Sequence, residues 1–297
     1  MYTRFTLSYG RFFKYALGLL LLSAAYSYLI YFLSDKFSLG IPPAVSAVLG
    51  TAVSLLLGFR TNSAYSRWWE ARKNWGLLIA DSRILTRQVL SFIPQNYSNY
   101  HSTVKRLVSL NIAFVYAHRN SLRHTGSRND YEKYLDKADL NAIRSCNHKP
   151  NAILKQHALI LGDHYREKVF DSIQFANMEN TLNQLTESMG GNERIKNTVF
   201  PIQYDIFTRL AIIIYAMLFP FGIISQEAHG MILLTFMVVF FFILIDAIGS
   251  YLKDPFENRK SDTPISALCR SIEIDLSEMI EEKNLPPKLV AEKGILM

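Results

Sequence analysis

The chain has 297 residues, 49% of them apolar, 13% aromatic and 19% charged, and its formal net charge is +7. This length fits one large domain or two small ones, and two distant cysteines argue against a disulfide framework or a zinc site. The excess of Lys and Arg would suit a nucleic-acid-binding protein, but we find no aromatic-basic motif for RNA. A membrane protein with cytoplasmic basic residues explains the charge, so we expect no nucleic-acid partner, metal or cofactor.

Four apolar stretches are each close to the roughly 20 residues that a helix needs to cross about 30 Å of hydrocarbon. They are residues 15–33, 39–57, 206–224 and 231–248. The first two carry no charge, whereas the third contains Arg209 and the fourth contains Asp246. The pattern predicts four transmembrane helices, two at each end of the chain.

The basic residues that flank these stretches predict the orientation of the chain. Lys and Arg precede the first span and follow the second and fourth, at Arg4, Arg11, Lys14, Arg60, Arg67, Arg72, Lys73, Lys253, Arg259 and Lys260. The turn SDKFS between the first two spans is charge-balanced, and the turn SQEAHG between the last two has no Lys or Arg. The positive-inside rule then places both termini and the long middle segment in the cytoplasm.

The middle of the chain is polar, and its apolar residues recur at helical spacing. This spacing predicts helices over residues 63–92, 102–118, 151–161 and 164–188, with Gly190 and Gly191 stopping the last one. We therefore divide the chain into four regions. They are spans one and two with residues 1–59, a cytosolic helical region over 60–205, spans three and four over 206–250, and a cytosolic C-terminal segment over 251–297.

The segment GFRTNSAYSRWWEARKNWG, residues 58–76, resembles the signature of the bestrophin ion channels. The residues that match it are Gly58, Arg67, Trp68 and Trp69. Residues 193–204 and 254–276 resemble the family's segments before the third span and after the fourth. The resemblance implies an all-α membrane protein of four transmembrane helices, with a helical cytosolic region between the second and third, assembled as a homopentamer around one central pore. It also implies the bacterial branch of the family, and hence the bacterial inner membrane.

The second span carries two stripes of residues spaced four apart, which share a helix face. One stripe consists of Thr51, Leu55 and Phe59, and the other of Ser46, Gly50, Ser54 and Gly58. Small residues suit close helix packing in lipid. By spacing alone, Leu55 and Phe59 could be packed core; the resemblance implies instead that Thr51, Leu55 and Phe59 form an apolar pore neck. Such a neck gates by dewetting and leaves the sign of the permeant ion open.

Two further sites follow from the order of the residues and from the resemblance. Phe200 before Pro201 resembles the family's cytosolic aperture, with a Phe packed under the third span as the alternative. Arg209 and Asp246 differ in depth by about one residue in antiparallel spans, which predicts an intramembrane ion pair. That pair either belongs to an ion pathway or satisfies two charges near the interface.

The segment after the fourth span differs from that of the calcium-gated bestrophins. Those members carry an acidic run after the Asp-Pro-Phe motif, but here residues 254–256 are followed by Glu257, Asn258, Arg259 and Lys260. Two cations stand where carboxylates would be needed to wrap calcium. We therefore expect a channel without a calcium clasp.

The leading hypothesis is a passive channel for monovalent ions. The family resemblance implies chloride and other anions. It also leaves open the conduction of cations, because bacterial relatives conduct them. The expected partners are other copies of the chain, membrane lipid and the ions. Rival hypotheses are a secondary transporter, a membrane enzyme and a membrane-anchored scaffold. The sequence shows no inverted repeat and no GxSxG, P-loop or paired-carboxylate motif, so we expect no catalytic residues.

Overall fold

The computed structural model describes residues 10–37, 40–123, 130–224, 228–259 and 262–291, and the regular structure in these ranges is helical. Nine α-helices and one 3₁₀ turn lie within them: α1 (Gly10–Phe37), α2 (Pro43–Phe92), α3 (Tyr100–Leu122), the 3₁₀ turn (Glu132–Tyr134), α4 (Lys137–Arg144), α5 (Lys149–Arg166), α6 (Ser172–Asn197), α7 (Ile202–Gly222), α8 (Ala228–Leu252) and α9 (Ile265–Met279). The all-α class predicted from the sequence is confirmed for the described chain.

The described residues fall into two compact units. The apolar unit comprises residues 10–68 and 199–254, and the polar unit comprises residues 69–198 and 255–291. Helix α2 is continuous and supplies residues to both. The units therefore divide the chain near residues 68 and 198, whereas the sequence pattern placed the limits near 59 and 205. The difference arises because α2 continues past Phe59 without a break, and because Asp205 lies inside α7.

Within the described residues, three helices are long and apolar enough to cross a membrane. They are Pro43–Phe92, Ile202–Gly222 and His229–Leu252. Helix α1 covers the first predicted span, but its described apolar stretch, Leu21–Ser34, is shorter than the other three. The structure thus supports three spans by length and composition, and the fourth stays a prediction.

Two hydrogen bonds define one end of the apolar unit. The backbone N–H of Ile41, just before α2, donates to the carbonyl of Phe221 at 3.1 Å. The Tyr26 hydroxyl of α1 donates to the Met217 carbonyl at 3.2 Å. The connection from α1 to α2 therefore lies at the same end as the last turn of α7. The predicted topology requires this arrangement, because it places both short turns on one side of the membrane.

The apolar unit packs α2 closely against α7. Val53 and Leu57 of α2 form a buried cluster with Ile212 and Tyr215 of α7. At Gly50 an added Cβ atom would lie only 2.6 Å from the Tyr215 hydroxyl oxygen, so glycine permits this contact. By contrast, a Cβ atom added at Gly58 would meet nothing within 4 Å. Within the described residues, only the first part of the small-residue stripe packs against another helix.

The polar unit is built around α3, which is buried on nearly every side. Its core includes Leu107, Leu110 and Phe114 of α3, with Trp75 of α2 and Cys269 of α9 packed around them. Helix α9 is also held by Glu273, whose carboxylate accepts hydrogen bonds from Tyr116, at 2.5 Å, and from Tyr134. The polar unit is thus a closed helical domain with its own apolar core.

The predictions for the second half of the middle segment were wrong in two places. No single helix runs over 164–188, because α5 ends at Arg166 and Lys168 adopts a left-handed conformation with φ of 58°. Helix α6 then begins with a capping box between Asp171 and Gln174. It also passes through Gly190 and Gly191 to Asn197 instead of stopping. Gly191 serves close packing, since an added Cβ would lie 2.6 Å from Asn74 Nδ2 of α2.

Candidate pore-lining face and its ionic anchor

Helix α2 presents two opposite faces in the apolar unit. On one face, Leu57 is completely buried, and Val53 and Arg60 are buried with it. On the other face, Leu55 is 57% exposed and Phe59 is 61% exposed, and Thr51 is exposed as well. A four-residue spacing keeps Thr51, Leu55 and Phe59 on one side of the helix. The chain therefore uses one face of α2 for its own core and leaves the predicted neck face uncovered.

Hydroxyl groups near this face are turned back onto the helix. The Thr51 hydroxyl donates to the Ala47 carbonyl at 2.9 Å, and the Ser54 hydroxyl donates to the Gly50 carbonyl at 2.8 Å. A hydroxyl that donates to the preceding turn has used its hydrogen. Thr51 therefore offers a methyl group and oxygen lone pairs outward, and the face as a whole is weakly polar to apolar.

Arg60 anchors the far side of α2 to α7 and α8. Its Nε and Nη2 atoms lie 2.8 Å from Asp205 Oδ1, and its Nη1 atom lies 2.5 Å from Asp246 Oδ1. Its Nη2 atom also donates to the Ser250 hydroxyl at 3.0 Å. A buried guanidinium needs such partners, because an unpaired buried charge is strongly destabilising. Arg60 thereby ties three helices together at one level, one residue beyond Phe59.

Two further cations complete this network. Lys253 Nζ lies 2.6 Å from Asp205 Oδ2. Arg209 Nε lies 3.6 Å from Asp246 Oδ2, and Arg209 Nη2 lies 3.4 Å from the Ser250 hydroxyl oxygen. The predicted Arg209–Asp246 pair is therefore within ion-pair distance, but Arg60 is much the closer partner of Asp246.

Sequence reasoning missed Arg60 and Asp205 as members of this network. A usable signal was present, because the end of span two and the start of span three share the depth of Asp246 in the predicted topology. Arg60 stands just outside the second apolar stretch, so hydropathy alone marks it as a flanking charge and not as a partner of Asp246.

The structure buries Phe200. Its side chain is 8% exposed, and its ring centroid lies 6.2 Å from that of Tyr204 in the first turn of α7. Pro201 is exposed and is the N-cap of α7. Within the single chain these contacts favour the packing alternative for Phe200. The neighbouring Val199 is largely exposed, and no sequence signal singled it out.

The signature residues differ in their surroundings. Trp69 is exposed, whereas Trp68 is half-buried and stacks on Tyr65 with ring centroids 6.1 Å apart. Arg67 is half-buried, and Gly58 lies on the uncovered side of α2. These residues therefore do not share one environment within the chain.

The loop after α8 uses its side chains for local contacts. Asp262 accepts a hydrogen bond from the backbone N–H of Arg259 at 2.9 Å, and burial raises the pKa of its carboxyl group. Glu257 pairs with Lys196 at 2.7 Å. Lys260, one of the two cations used in the calcium prediction, lies outside the described residues. Among the residues that are described, no group of three or more His, Cys, Asp or Glu side chains could hold a metal ion.

A helical protein with several spans, buried ion pairs at one level and an uncovered helix face has the features of an integral membrane protein. Comparison with known proteins gives the family. Residues 5–278 match the model of the bacterial/fungal bestrophin proteins. The chain belongs to the bestrophin family, as the sequence resemblance predicted.

Relatives and solved structures agree with this assignment. The voltage-dependent anion channel-forming protein YneE of Escherichia coli K12 is 31% identical over 265 residues, covering 88% of this chain and 83% of the relative. A similarly named Mesorhizobium japonicum protein is 31% identical, with 83% and 77% of the two chains covered. The crystal structure of a bacterial bestrophin homologue from Klebsiella pneumoniae aligns with a TM-score of 0.84 at 26% identity, covering 92% of this chain and all of that one.

Proposed function

We propose that the chain forms a homopentameric channel for monovalent ions, with Thr51, Leu55 and Phe59 of each subunit forming the pore neck. One observation carries the proposal. Side chains of α2 that would be expected in a core are exposed on one face, while the opposite face is packed and anchored through Arg60. Five such faces around an axis would cover each other's apolar surface and enclose a narrow pore.

The chemistry of the face determines how such a neck would work. The side chains of Leu55 and Phe59 cannot form hydrogen bonds. In a narrow pore they therefore cannot replace the water that an ion loses from its hydration shell. A narrow apolar constriction empties of water and stops conduction, and widening it restores conduction. The neck would therefore act mainly as a gate.

We propose anions as the permeant species, because the relatives are named anion channel-forming proteins. A bi-ionic reversal potential in a planar bilayer tests the sign, and a cation-selective reversal would refute it.

A matched pair of variants tests the position of the pore. Leu55→Ala truncates an exposed residue of the proposed neck, and Leu57→Ala truncates a fully buried residue two positions away. Core truncation costs about 2–5 kcal/mol, so Leu57→Ala should lower the unfolding temperature sharply. Leu55→Ala should leave stability nearly unchanged and increase the open current. A strongly destabilised Leu55→Ala protein without added current would place Leu55 in a packed interface and the pore on another face.

The same recordings separate the channel from its rivals. A channel gives unitary current steps, whereas a transporter or a membrane-anchored scaffold does not.

We further propose that both termini face the cytoplasm of a bacterium, with the protein in the inner membrane. The proposal includes no calcium clasp. Conductance should therefore be the same in chelator and in micromolar calcium, and a steep reversible activation by calcium would show otherwise.

A further inference from the structure

One face of α7 is apolar and exposed, and among the described residues of that face Arg209 is the exposed cation. Ile206, Leu210 and Ile213 are each about half exposed, and Arg209 is 56% exposed. Residues 206, 209 and 213 are spaced three and four apart, so they lie on the same side of the helix. An arginine with apolar neighbours on a membrane helix needs a polar partner for its guanidinium group.

The partners within the protomer satisfy Arg209 only weakly. Its contacts with Asp246 and Ser250 are 3.6 Å and 3.4 Å long, whereas a good charge-assisted hydrogen bond is about 2.7–2.9 Å. Asp246 is already held by Arg60 at 2.5 Å, and Asp205 is shared by Arg60 and Lys253. Two carboxylates are thus nearly saturated by two other cations. The excess positive charge of the network rests on Arg209, its most exposed member.

We propose that Arg209 binds the phosphate group of an anionic phospholipid, whose acyl chains lie along the exposed apolar face of α7. This inference relies on the membrane setting of the proposed function. The guanidinium fork matches two phosphate oxygens, as it matches a carboxylate. Arg209 lies in the second turn of α7, from which a long side chain can reach the headgroup level. A net negative lipid complements the excess charge, whereas a zwitterionic lipid brings its own cation.

The test measures lipid-dependent stability of the full-length protein in detergent. Thermal unfolding is followed while dioleoylphosphatidylglycerol or dioleoylphosphatidylcholine is titrated into the micelles. Phosphatidylglycerol should raise the unfolding temperature more than phosphatidylcholine does. For Arg209→Gln the half-saturating fraction of phosphatidylglycerol should rise roughly tenfold, because the lost hydrogen bonds to a charged group are each worth enough for that factor. Arg209→Lys keeps the charge but not the forked guanidinium group. Its half-saturating fraction of phosphatidylglycerol should lie between those of the wild type and Arg209→Gln.

The matched control is Lys36→Gln. Lys36 is an exposed cation near the end of α1, at the opposite end of the apolar unit, where it lies over the Phe32 ring at 5.4 Å. The Lys36→Gln substitution should leave the stabilisation by phosphatidylglycerol unchanged. A second arm replaces the lipid by soluble glycerol phosphate, which should not stabilise the protein at the same concentration. Equal stabilisation would show a free-anion site and would overturn the lipid proposal.

The remaining outcomes are also decisive. The proposal is overturned if wild-type protein shows no preference for phosphatidylglycerol, if Arg209→Gln keeps the full response, or if Lys36→Gln loses it equally. It is also overturned if Arg209→Gln dissociates the oligomer while phosphatidylglycerol has no effect, since Arg209 would then face a second copy. If Arg209→Gln fails to fold, the wild-type lipid preference and Arg209→Lys decide. Lipid binding is measured without ion flux, so its failure is separate from failure of the channel.

Discussion

The two units of the chain place their apolar residues oppositely. In the polar unit, large apolar side chains such as Phe114 are completely buried within the single chain. In the apolar unit, Phe207 of α7 is 65% exposed, and many similar side chains are exposed around it. Buried apolar area is the main source of folding stability in water. The polar unit therefore buries its apolar surface within one chain, whereas the apolar unit depends on lipid or on other copies to cover its apolar surface.

The largest expected effect tests this contrast directly. Phe114→Ala removes a buried ring from the polar core and should destabilise the protein by about 3–5 kcal/mol. Phe207→Ala removes a ring of the same size that the rest of the chain leaves exposed, and should change stability by under about 1 kcal/mol in detergent. Chemical unfolding of both variants in one detergent measures the difference. Similar losses for the two variants would show that Phe207 is covered in the assembled protein.

Arg60 is the exception inside the apolar unit, because it is buried there and charged. Arg60→Gln removes a cation from between Asp205 and Asp246 and leaves both carboxylates short of a partner. Breaking a buried pair in this way costs about 3–5 kcal/mol, and the amide's remaining hydrogen bonds should bring the loss to the lower end. Asp205→Asn is the matched control, since Asp246 would still hold Arg60. It should cost less, and the reverse order would mean that Asp205 is the main partner.

The limits of sequence reasoning follow the same division. Hydropathy located α2, α7 and α8 because crossing a membrane needs a long apolar helix whatever its neighbours are. The signature from Gly58 to Trp69 led to the correct family. The meeting of Arg60, Asp205 and Asp246 was missed, because it depends on three helices arriving at one level. The burial of Phe200 is likewise a tertiary property that the Phe-Pro order does not determine.

Acid should weaken the polar unit through its buried histidines. Burial lowers the pKa of His118 to about 3, with His148 nearby adding to the effect. Burial lowers the pKa of His157 to about 4, although the Leu107 carbonyl that it contacts at 3.1 Å opposes the shift. Because the unfolded histidine takes up its proton near pH 6.5, the unfolded state binds protons first as the pH falls. Stability is therefore full above about pH 6.5 and is lost as the pH falls from there to about 4 for His157 and to about 3 for His118.

The measurement is the free energy of unfolding at several pH values between 7.5 and 4.5. Each histidine should contribute up to about 1.4 kcal/mol per pH unit inside the window. His157→Gln keeps a donor for the Leu107 carbonyl and removes one titrating group, so the slope should fall by about half. His101→Gln is the control, because His101 is exposed at the start of α3 and should leave the slope unchanged. An unchanged slope in His157→Gln would assign the acid sensitivity to other groups.

The smallest expected effect concerns Gly190 and Gly191, which were predicted to end a helix but lie inside α6. Both residues are helical, so alanine at either position should gain about 0.5–1 kcal/mol in helix propensity. At Gly190 a new Cβ would meet nothing within 4 Å, and Gly190→Ala should show the whole gain. At Gly191 the Cβ would lie 2.6 Å from Asn74 Nδ2, the far end of a side chain that must move. Overpacking should cancel the gain or reverse it.

A double-mutant cycle isolates the contact between α6 and α2. In an Asn74→Ala background the obstruction is gone, so adding Gly191→Ala should recover the stabilisation that Gly190→Ala shows. Denaturant unfolding of the four proteins gives the coupling energy, which we expect to be about 0.5–2 kcal/mol. A coupling near zero would mean that the backbones of α2 and α6, and not the Asn74 side chain, set the approach at Gly191. The glycine would then be required by helix-helix distance, and Gly191→Ala would be equally unfavourable in both backgrounds.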